Sequence, residues 1–230
     1  MLTALALAVA APFHVLVYSR TAGFRHDSIP DGIAMFKELG PKEGFTVDAT
    51  EDPAQFTDAN LSKYDVVVFL STTMNVLDGD QETALQNFVE KKGKGWLGIH
   101  AAADTEYDWP WYGTLVGAWF KSHPRIQKAK VDVIDAKTPA TKHLPKVWER
   151  TDEWYNYRAL PVAGCRILLK LDEKSYEGGG MNGDHPICWE HSVGKGRAFY
   201  TGLGHTKESY AEEAYRKHVM GGLKWAAKRG

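Results

Sequence analysis

Short apolar runs recur along this chain and predict buried strands. Five of them are four to seven residues long and rich in Val, Leu, Ile and aromatic residues, which is the composition of strands inside a sheet. One, read DVVVFL, is apolar at every position after the first, as in parallel strands covered on both faces. The predicted strands are Phe13–Ser19, Phe45–Ala49, Asp65–Leu70, Trp96–Ile99 and Arg197–Thr201.

Amphipathic stretches separate several of these runs and predict helices. The first begins where Ser28 can cap a helix with Pro30 in its first turn, and it ends at Gly40 and Pro41. A second helix is predicted over Asp80–Lys91, and a third, Glu208–Lys228, closes the chain. This alternation is typical of an α/β fold with a doubly wound, mostly parallel sheet and helices on both faces.

Between the predicted strands Trp96–Ile99 and Arg197–Thr201, the pattern of apolar and polar residues is less regular. A short helix is predicted at Leu115–Phe120. Gly194 and Gly196 predict a hairpin turn before the last strand. The segments expected to add shorter antiparallel strands are Lys130–Ile134, Val147–Thr151, Arg166–Leu171 and Ile187–His191.

The run Trp96–Ile99 stops on a titratable residue, His100, which is followed by Ala101–Ala103 and Asp104. Gly98 and the alanines allow a tight turn that lifts the His100 side chain above the carboxyl edge of the sheet. Enzymes with a nucleophile at such a turn carry Ser or Cys there, so a covalent acyl-enzyme is not expected. A histidine that merely caps the strand is the structural alternative.

Composition narrows the classes of function. The 230 residues are 43% hydrophobic, enough to bury the core of one domain over residues 12–230. The formal charge is −1 and the basic residues are scattered, so no nucleic-acid partner is expected. Cys165 and Cys188 lack the spacing of a zinc site, and the sequence leaves open whether they form a disulfide.

The first eleven residues differ from the rest. Leu2–Ala11 is apolar and ends in small residues before Pro12, like a secretory signal whose basic start is missing. We therefore expect residues 1–11 to be a truncated signal peptide and the protein to be exported to the periplasm or the exterior. A disordered extension is the alternative. The segment is too short to cross a bilayer, and no membrane span is expected.

Six motifs spread along the chain together resemble one known family. They are GFRHDSI at Gly23–Ile29, GWLGIH at Gly95–His100, FKSHP at Phe120–Pro124, DEWY at Asp152–Tyr155, HPICWEH at His185–His191 and GKGRAFYTGLGHT at Gly194–Thr206. From about Phe13 to its last helix, the chain resembles the ThuA-like (trehalose-utilisation) domain family, whose fold is similar to that of class I glutamine amidotransferases. The resemblance implies a flavodoxin-like sheet with a cleft above its carboxyl edge. It also implies a small carbohydrate substrate: trehalose, a related disaccharide or a 3-keto form.

The amidotransferase resemblance does not extend to glutaminase chemistry. Enzymes of that class use a Cys at the strand-to-helix turn and a His-x-Glu pair on a later strand. Here His100 occupies the turn, and His205 is followed by Thr206 and Lys207. Glutaminase activity is therefore not expected.

Several titratable residues follow predicted strands and should meet at the carboxyl edge of the sheet. The candidate catalytic residues are His26, His100, Asp104, Glu153 and His205. Histidines and carboxylates in contact could act as an acid/base cluster. Three neutral histidines, His26, His100 and His205, with a carboxylate would also suit a divalent metal ion such as Zn²⁺. Because none of them has close ligand spacing in the sequence, a metal cofactor stays an alternative.

Two classes of function stay open. An enzyme would act on a sugar or keto-sugar by isomerisation, elimination or hydrolysis, whereas a binding module would use Trp109, Trp111, Trp154 and Tyr155 as stacking surfaces. Three histidines on one rim favour the enzyme, since a pure binder has no need of them. The candidate substrate-binding residues are Arg25, Trp109, His123, Trp154, Tyr155 and His185.

Overall fold

A computed structural model describes residues 12–229 of the chain, and the predicted signal peptide at residues 1–11 lies outside this range. The strands are Phe13–Tyr18 (β1), Phe45–Thr50 (β2), Val66–Leu70 (β3), Gly95–Ile99 (β4), Phe120–Ser122 (β5), Gln127–Val133 (β6), Val147–Asp152 (β7), Asn156–Tyr157 (β8), Arg166–Leu171 (β9), Pro186–Val193 (β10) and Gly196–Thr201 (β11). The helices are Ile29–Glu43 (α1), Asp58–Leu61 (α2), Gly79–Gln86 (α3), Pro110–Val116 (α4), Lys207–Ala211 (α5) and Glu213–Ala226 (α6).

The predicted α/β sheet is confirmed. Nine strands pair in the order β2-β1-β3-β4-β11-β10-β9-β6-β7, and the first five are mutually parallel. Every residue of β3 and β4 is buried, as expected for central strands whose sequences are continuously apolar. The carboxyl ends of β1, β3, β4 and β11 therefore share one edge.

Helices lie on both faces of this sheet, as predicted. Successive strand residues point to opposite faces. Phe199 of β11 packs against His218 of α6, with 5.5 Å between the ring centroids. Its neighbour Tyr200 packs at 4.6 Å against Trp189, whose ring N–H donates to the carbonyl of Val116 in α4.

The antiparallel half of the sheet curls back over its centre. Four strand spacings separate β7 from β11, which in a flat sheet would put them about 19 Å apart, since neighbours lie about 4.8 Å apart. Instead the Asp152 carboxylate, at the end of β7, accepts a hydrogen bond of 2.8 Å from the backbone N–H of Gly204, beyond β11. Because β7 runs parallel to β11, its carboxyl end reaches the same edge as β4.

Three details differ from the sequence predictions. Helix α1 continues through Gly40 and Pro41 to Glu43, and Gly44 ends it with a left-handed backbone at φ 81°. The closing helix is divided into α5 and α6 by Glu212, whose backbone is extended and whose carboxylate accepts from Trp148. The antiparallel strands are not shorter than the parallel ones, since β10 has eight residues.

The predicted helix Leu115–Phe120 is also displaced. Helix α4 starts earlier, with Pro110 in its first turn, and Gly117 ends it at φ 89°. Phe120 belongs instead to β5, which pairs with β8 in a separate two-stranded sheet.

Two further features concern the cysteines and the length of the helices. Cys165 and Cys188 are both free thiols, so the disulfide that the sequence left open does not form. Across the described range, none of the helices combines the length and the apolar character needed to traverse a bilayer.

Candidate functional site

Four side chains meet at the carboxyl edge of the sheet. His26 follows β1, His100 follows β4, Glu153 follows β7 and His205 follows β11. Each offers one nitrogen or oxygen atom, and these four atoms lie within 4.8 Å of one another. We call this group the His–Glu centre. Four segments that are far apart in sequence therefore build one compact polar cluster.

The three imidazole rings of the centre form a nearly equilateral triangle. Their centroids are 4.9 Å apart for His26 and His100, 5.0 Å for His26 and His205, and 5.0 Å for His100 and His205. His100 Nε2 lies 3.0 Å from His205 Nδ1. Oxygen Oε2 of Glu153 lies 3.3 Å from the first nitrogen and 3.2 Å from the second.

His100 is held in a strained turn. Its backbone adopts φ 50°, a conformation that costs a residue with a side chain about 1–3 kcal/mol and that clusters at functional sites. The Tyr200 hydroxyl donates to the His100 carbonyl at 2.9 Å. Nδ1 of the ring lies 3.0 Å from the Gly202 carbonyl. Since a carbonyl only accepts, Nδ1 carries a hydrogen, and Nε2 is the nitrogen that faces the centre.

Asp152 fixes the backbone on which two members of the centre stand. Its fully buried carboxylate accepts from the backbone N–H groups of Glu153 and His205, each at 3.0 Å, and from Gly204. Arg150, also buried, pairs with the same carboxylate at 3.1 Å. Asp152 belongs to the DEWY motif but was not among the candidate site residues. Its position at the end of a strand, beside Glu153, was the available signal.

The Glu153 carboxylate links the centre to the surface. Its Oε1 lies 3.0 Å from Nδ1 of His123, whose side chain is 44% exposed. Burial would raise the pKa of Glu153, but hydrogen bonds with His100 and His205 outweigh it and hold that pKa well below its usual range. Burial likewise disfavours a charged His205, yet Glu153 raises the pKa of that ring. The carboxylate is thus ionised at neutral pH.

His26 is buried, and its surroundings disfavour a charge on its ring. Burial, followed by the neighbouring His100 and His205, lowers its pKa to about 2, so this ring is neutral at any physiological pH. Its Nδ1 is buried with no hydrogen-bond partner among residues 12–229. The ring of Phe24, 67% exposed, stands edge-on against it at 4.9 Å. Phe24 was not selected from the sequence, although it lies in the GFRHDSI motif.

Tyr155 forms a wall of the site, whereas Trp154 does not. The Tyr155 ring lies 4.1 Å from that of His100 and 4.3 Å from that of Phe120. Trp154 is fully buried, and its ring N–H donates to the Gln127 carbonyl at 2.8 Å. Trp154 therefore offers no face to a ligand and cannot serve as the stacking surface that the sequence suggested.

His185 supports the site from behind. It is fully buried and bridges the Glu173 carboxylate, at 2.9 Å, and the Tyr155 carbonyl, at 2.8 Å. Both ring nitrogens of His185 are engaged by these two partners, so neither is free to bind a substrate. Its hydrogen bond to Tyr155 instead positions the wall of the site.

Three other predicted site residues lie outside the centre. The Asp104 carboxylate accepts a hydrogen bond of 2.5 Å from the Tyr107 hydroxyl, and burial raises its pKa. Arg25, half-exposed, forms two hydrogen bonds with Glu51. Trp109 packs against Trp111 with 4.7 Å between ring centroids. None of the three belongs to the group whose ligand atoms converge.

Three further histidines, two of them buried and one half-buried, have local structural roles. His143 donates to the Ala214 carbonyl, His191 to Thr114 and His218 to Ala140. Each of these bonds accounts for a ring nitrogen away from the His–Glu centre. Within the described residues, the centre is the place where histidine nitrogens and a carboxylate oxygen converge in a set that could hold a metal ion.

The fold and the centre define a class: an α/β protein with a polar cluster at the switch between parallel and antiparallel strands. The profile of the ThuA family, described as trehalose utilisation, matches residues 14–226. The chain therefore belongs to the ThuA family. Membership in this family connects the protein with carbohydrate utilisation. A search of curated proteins found no match.

Solved structures agree with this assignment. A ThuA-like protein from Bacteroides uniformis is 26% identical, with a TM-score of 0.80, covering 95% of this chain and 93% of the other. A ThuA-like protein from Parabacteroides merdae is 20% identical, with a TM-score of 0.77, covering 94% and 90%. The glutaminase domain of Trypanosoma brucei CTPS is 9% identical, with a TM-score of 0.55, covering 95% of each chain. This last likeness concerns the fold alone and confirms its amidotransferase-like character.

Proposed function

We propose that this protein is an enzyme that acts on a disaccharide or a 3-keto-glycoside at the His–Glu centre. The observation that carries the proposal is the Glu153 carboxylate, buried and in contact with His100 and His205 on one oxygen and with His123 on the other. Such a relay joins a shielded reaction centre to a group that can exchange protons with solvent. Membership in the ThuA family supports the carbohydrate substrate.

The reaction class that suits these groups is removal of a proton next to a carbonyl. The centre would polarise the keto oxygen of the sugar, and a base would take the hydrogen from the neighbouring carbon. The electron pair of that C–H bond moves onto the keto oxygen. Return of a proton to a different carbon gives isomerisation. Expulsion of the glycosidic oxygen, which then takes a proton, gives elimination.

His123 is the group best placed to carry the proton. Its ring is 44% exposed and stacks loosely on Phe120 and Tyr155, so it is held but still reaches solvent. Its Nδ1 lies 3.0 Å from Oε1 of Glu153. The buried members of the centre have no comparable access to solvent, because His26 and His100 are 4% and 0% exposed.

Phe24 is the proposed sugar-binding surface. It is an exposed aromatic ring in direct contact with His26, and an aromatic face beside a polar centre suits the apolar C–H face of a sugar ring. It takes the place of Trp154, which the sequence suggested and which is fully buried.

Two other mechanisms receive less support. Hydrolysis by paired carboxylates requires a second carboxyl group facing the first across the substrate, but the Asp104 carboxylate is bound to the Tyr107 hydroxyl. The aromatic residues that the sequence suggested for a binding module give it little support, because Trp154 and Tyr155 are buried and Trp109 packs on Trp111. The exposed Phe24 would serve a binding module and an enzyme equally.

Product analysis and hydrogen exchange test the proposal together. Trehalose, sucrose and their 3-keto derivatives are incubated with the protein in D₂O, and NMR follows both new products and deuterium entering next to the keto group. We expect Glu153→Gln and His123→Gln to lower turnover by about 10²–10⁴-fold. His14→Gln is the matched control, since His14 is exposed at the amino end of β1.

Two results would contradict the proposal. Sugar binding seen by calorimetry without turnover or deuterium entry would indicate a binding module. Turnover that survives Glu153→Gln unchanged would locate the chemistry elsewhere.

A further inference from the structure

The spacing of three atoms in the His–Glu centre matches a metal coordination sphere. His100 Nε2, His205 Nδ1 and Glu153 Oε2 are separated by 3.0, 3.2 and 3.3 Å. Ligands bound at about 2.0–2.1 Å lie about 3.3 Å apart around a tetrahedral ion and about 3.0 Å apart around an octahedral one. His26 adds a fourth atom within 4.8 Å of the others.

The ring of His100 is oriented so that one nitrogen faces the centre. Its Nδ1 lies 3.0 Å from the Gly202 carbonyl, which leaves Nε2 directed at His205 Nδ1 and Glu153 Oε2. An imidazole nitrogen placed in this way is available as a ligand atom when it carries no hydrogen.

His26 supplies a second and independent indication. Its side chain is buried and its Nδ1 lacks a hydrogen-bond partner among the described residues. A buried polar nitrogen left unpaired costs about 1–3 kcal/mol. Most buried polar atoms of native structures have a partner, and an ion bound by His26 is one explanation for this nitrogen.

The surroundings resemble those of metal ligands in general. Ligating histidines usually donate their other N–H to a carbonyl or carboxylate, which fixes the ring and its tautomer. His100 does this with Gly202. The second oxygen of Glu153 is in contact with His123, and Asp152 holds the backbone of Glu153 and His205.

We propose that His26, His100, Glu153 and His205 bind one divalent transition-metal ion, with Zn²⁺ as the reference ion. Three imidazoles and one carboxylate form a nitrogen-rich set that suits zinc and its transition-metal neighbours and is poorly suited to Ca²⁺ or Mg²⁺, which prefer oxygen. The ion would act as the Lewis acid that polarises a sugar oxygen. Binding of the ion does not depend on the reaction proposed above, although its catalytic role does.

Metal content is the first test. Protein carrying no histidine tag is purified without chelator, and its metals are measured by mass spectrometry. We expect about one transition-metal ion per chain in the wild type and in His14→Ala. We expect Glu153→Gln and His205→Ala to lose it.

The second test measures zinc affinity. It can still refute the proposal if one of the variants misfolds. Protein treated with EDTA is titrated with Zn²⁺ against a chromophoric chelator, and circular dichroism checks that each variant is folded. Loss of an outer hydrogen bond weakens metal binding by about 10–100-fold, so we expect Glu153→Gln and His205→Ala each to weaken it by more than about 100-fold. Zn²⁺ should raise the Tm of the wild type and of His14→Ala, and of neither centre variant.

The outcomes separate the metal from the reaction. A folded wild type that carries no metal and binds Zn²⁺ no more tightly than His205→Ala overturns the metal site. Full turnover after complete metal removal overturns its catalytic role. Stoichiometric metal without turnover of any tested sugar supports the metal site and counts against the proposed function.

Discussion

We expect Asp152→Asn to destabilise the protein more than any substitution at its surface. The wild-type carboxylate accepts from Glu153, His205 and Gly204 through two different oxygens and pairs with Arg150. Asparagine retains one oxygen, so an NH₂ group must face backbone N–H donors on the other side. The substitution therefore removes at least one of these three hydrogen bonds and a buried counter-charge.

The magnitude follows from these contacts. An unsatisfied buried N–H costs about 1–3 kcal/mol, and breaking a buried ion pair from one side costs about 3–5 kcal/mol. These two costs overlap and cannot simply be added. Glu212, which is partly exposed, remains 3.4 Å from Arg150 as a second ionic partner. We expect Asp152→Asn to lower the free energy of unfolding by about 3–5 kcal/mol, a large share of the 5–15 kcal/mol typical of a domain.

Urea unfolding followed by tryptophan fluorescence measures this loss, since the chain carries eight Trp residues. Glu149→Gln is the matched control, because it makes the same kind of change on the same strand. Its carboxylate pairs at 2.7 Å with the exposed Lys128, and such surface pairs contribute at most about 1 kcal/mol. If Asp152→Asn were within 1 kcal/mol of the wild type, the assignment of Asp152 as the support of the site would be wrong.

Three further predictions concern stability. Burial raises the pKa of Glu106 to about 7, above its unfolded value, so the contribution of this group to stability should be greatest below about pH 4.5 and should fall by up to about 3 kcal/mol as the pH rises to about 7; Glu106→Gln should remove this part of the pH dependence in urea titrations at several pH values, and an unchanged profile would refute it. Trp154→Ala should cost about 3–5 kcal/mol, and a loss of sugar affinity without loss of stability would contradict its placement in the core. A Cβ at Gly95 would lie 2.6 Å from the backbone oxygen of Ala226. Gly95→Ala should therefore lower the free energy of unfolding by about 1–3 kcal/mol and lower the Tm measured by calorimetry. An equal or higher Tm would show that a methyl group fits between β4 and α6.

The strands of the parallel half were predictable because a separate run of apolar residues marks each of them. The predicted strands at 13–19, 45–49, 65–70, 96–99 and 197–201 differ from the observed ones by at most one residue at either end. Continuous apolar runs between polar loops leave little ambiguity in length or type. The break at Glu212 was not predictable, because it depends on contacts with Trp148 and Arg150 that local sequence does not reveal.

The site was predictable where it depends on strand ends and unpredictable where it depends on the curl of the sheet. His26, His100 and His205 follow strands of the parallel half, and the shared edge of such strands brings them together. Glu153 was selected from its motif, but its approach to His100 requires β7 to cross over the sheet. The aromatic candidates failed for a different reason, since sequence does not distinguish a buried Trp154 from an exposed Phe24.

The curl of the sheet also determines when the centre can form during folding. His26 and His100 follow strands β1 and β4, whereas Glu153 lies 53 residues beyond His100 and His205 lies 105 residues beyond it. Contacts between residues so distant in sequence require large loops to close, which slows their formation. A partly folded chain in which only β1 to β4 have paired would still lack Glu153 and His205. Any ligand that needs all four groups would therefore recognise only molecules whose folding is complete.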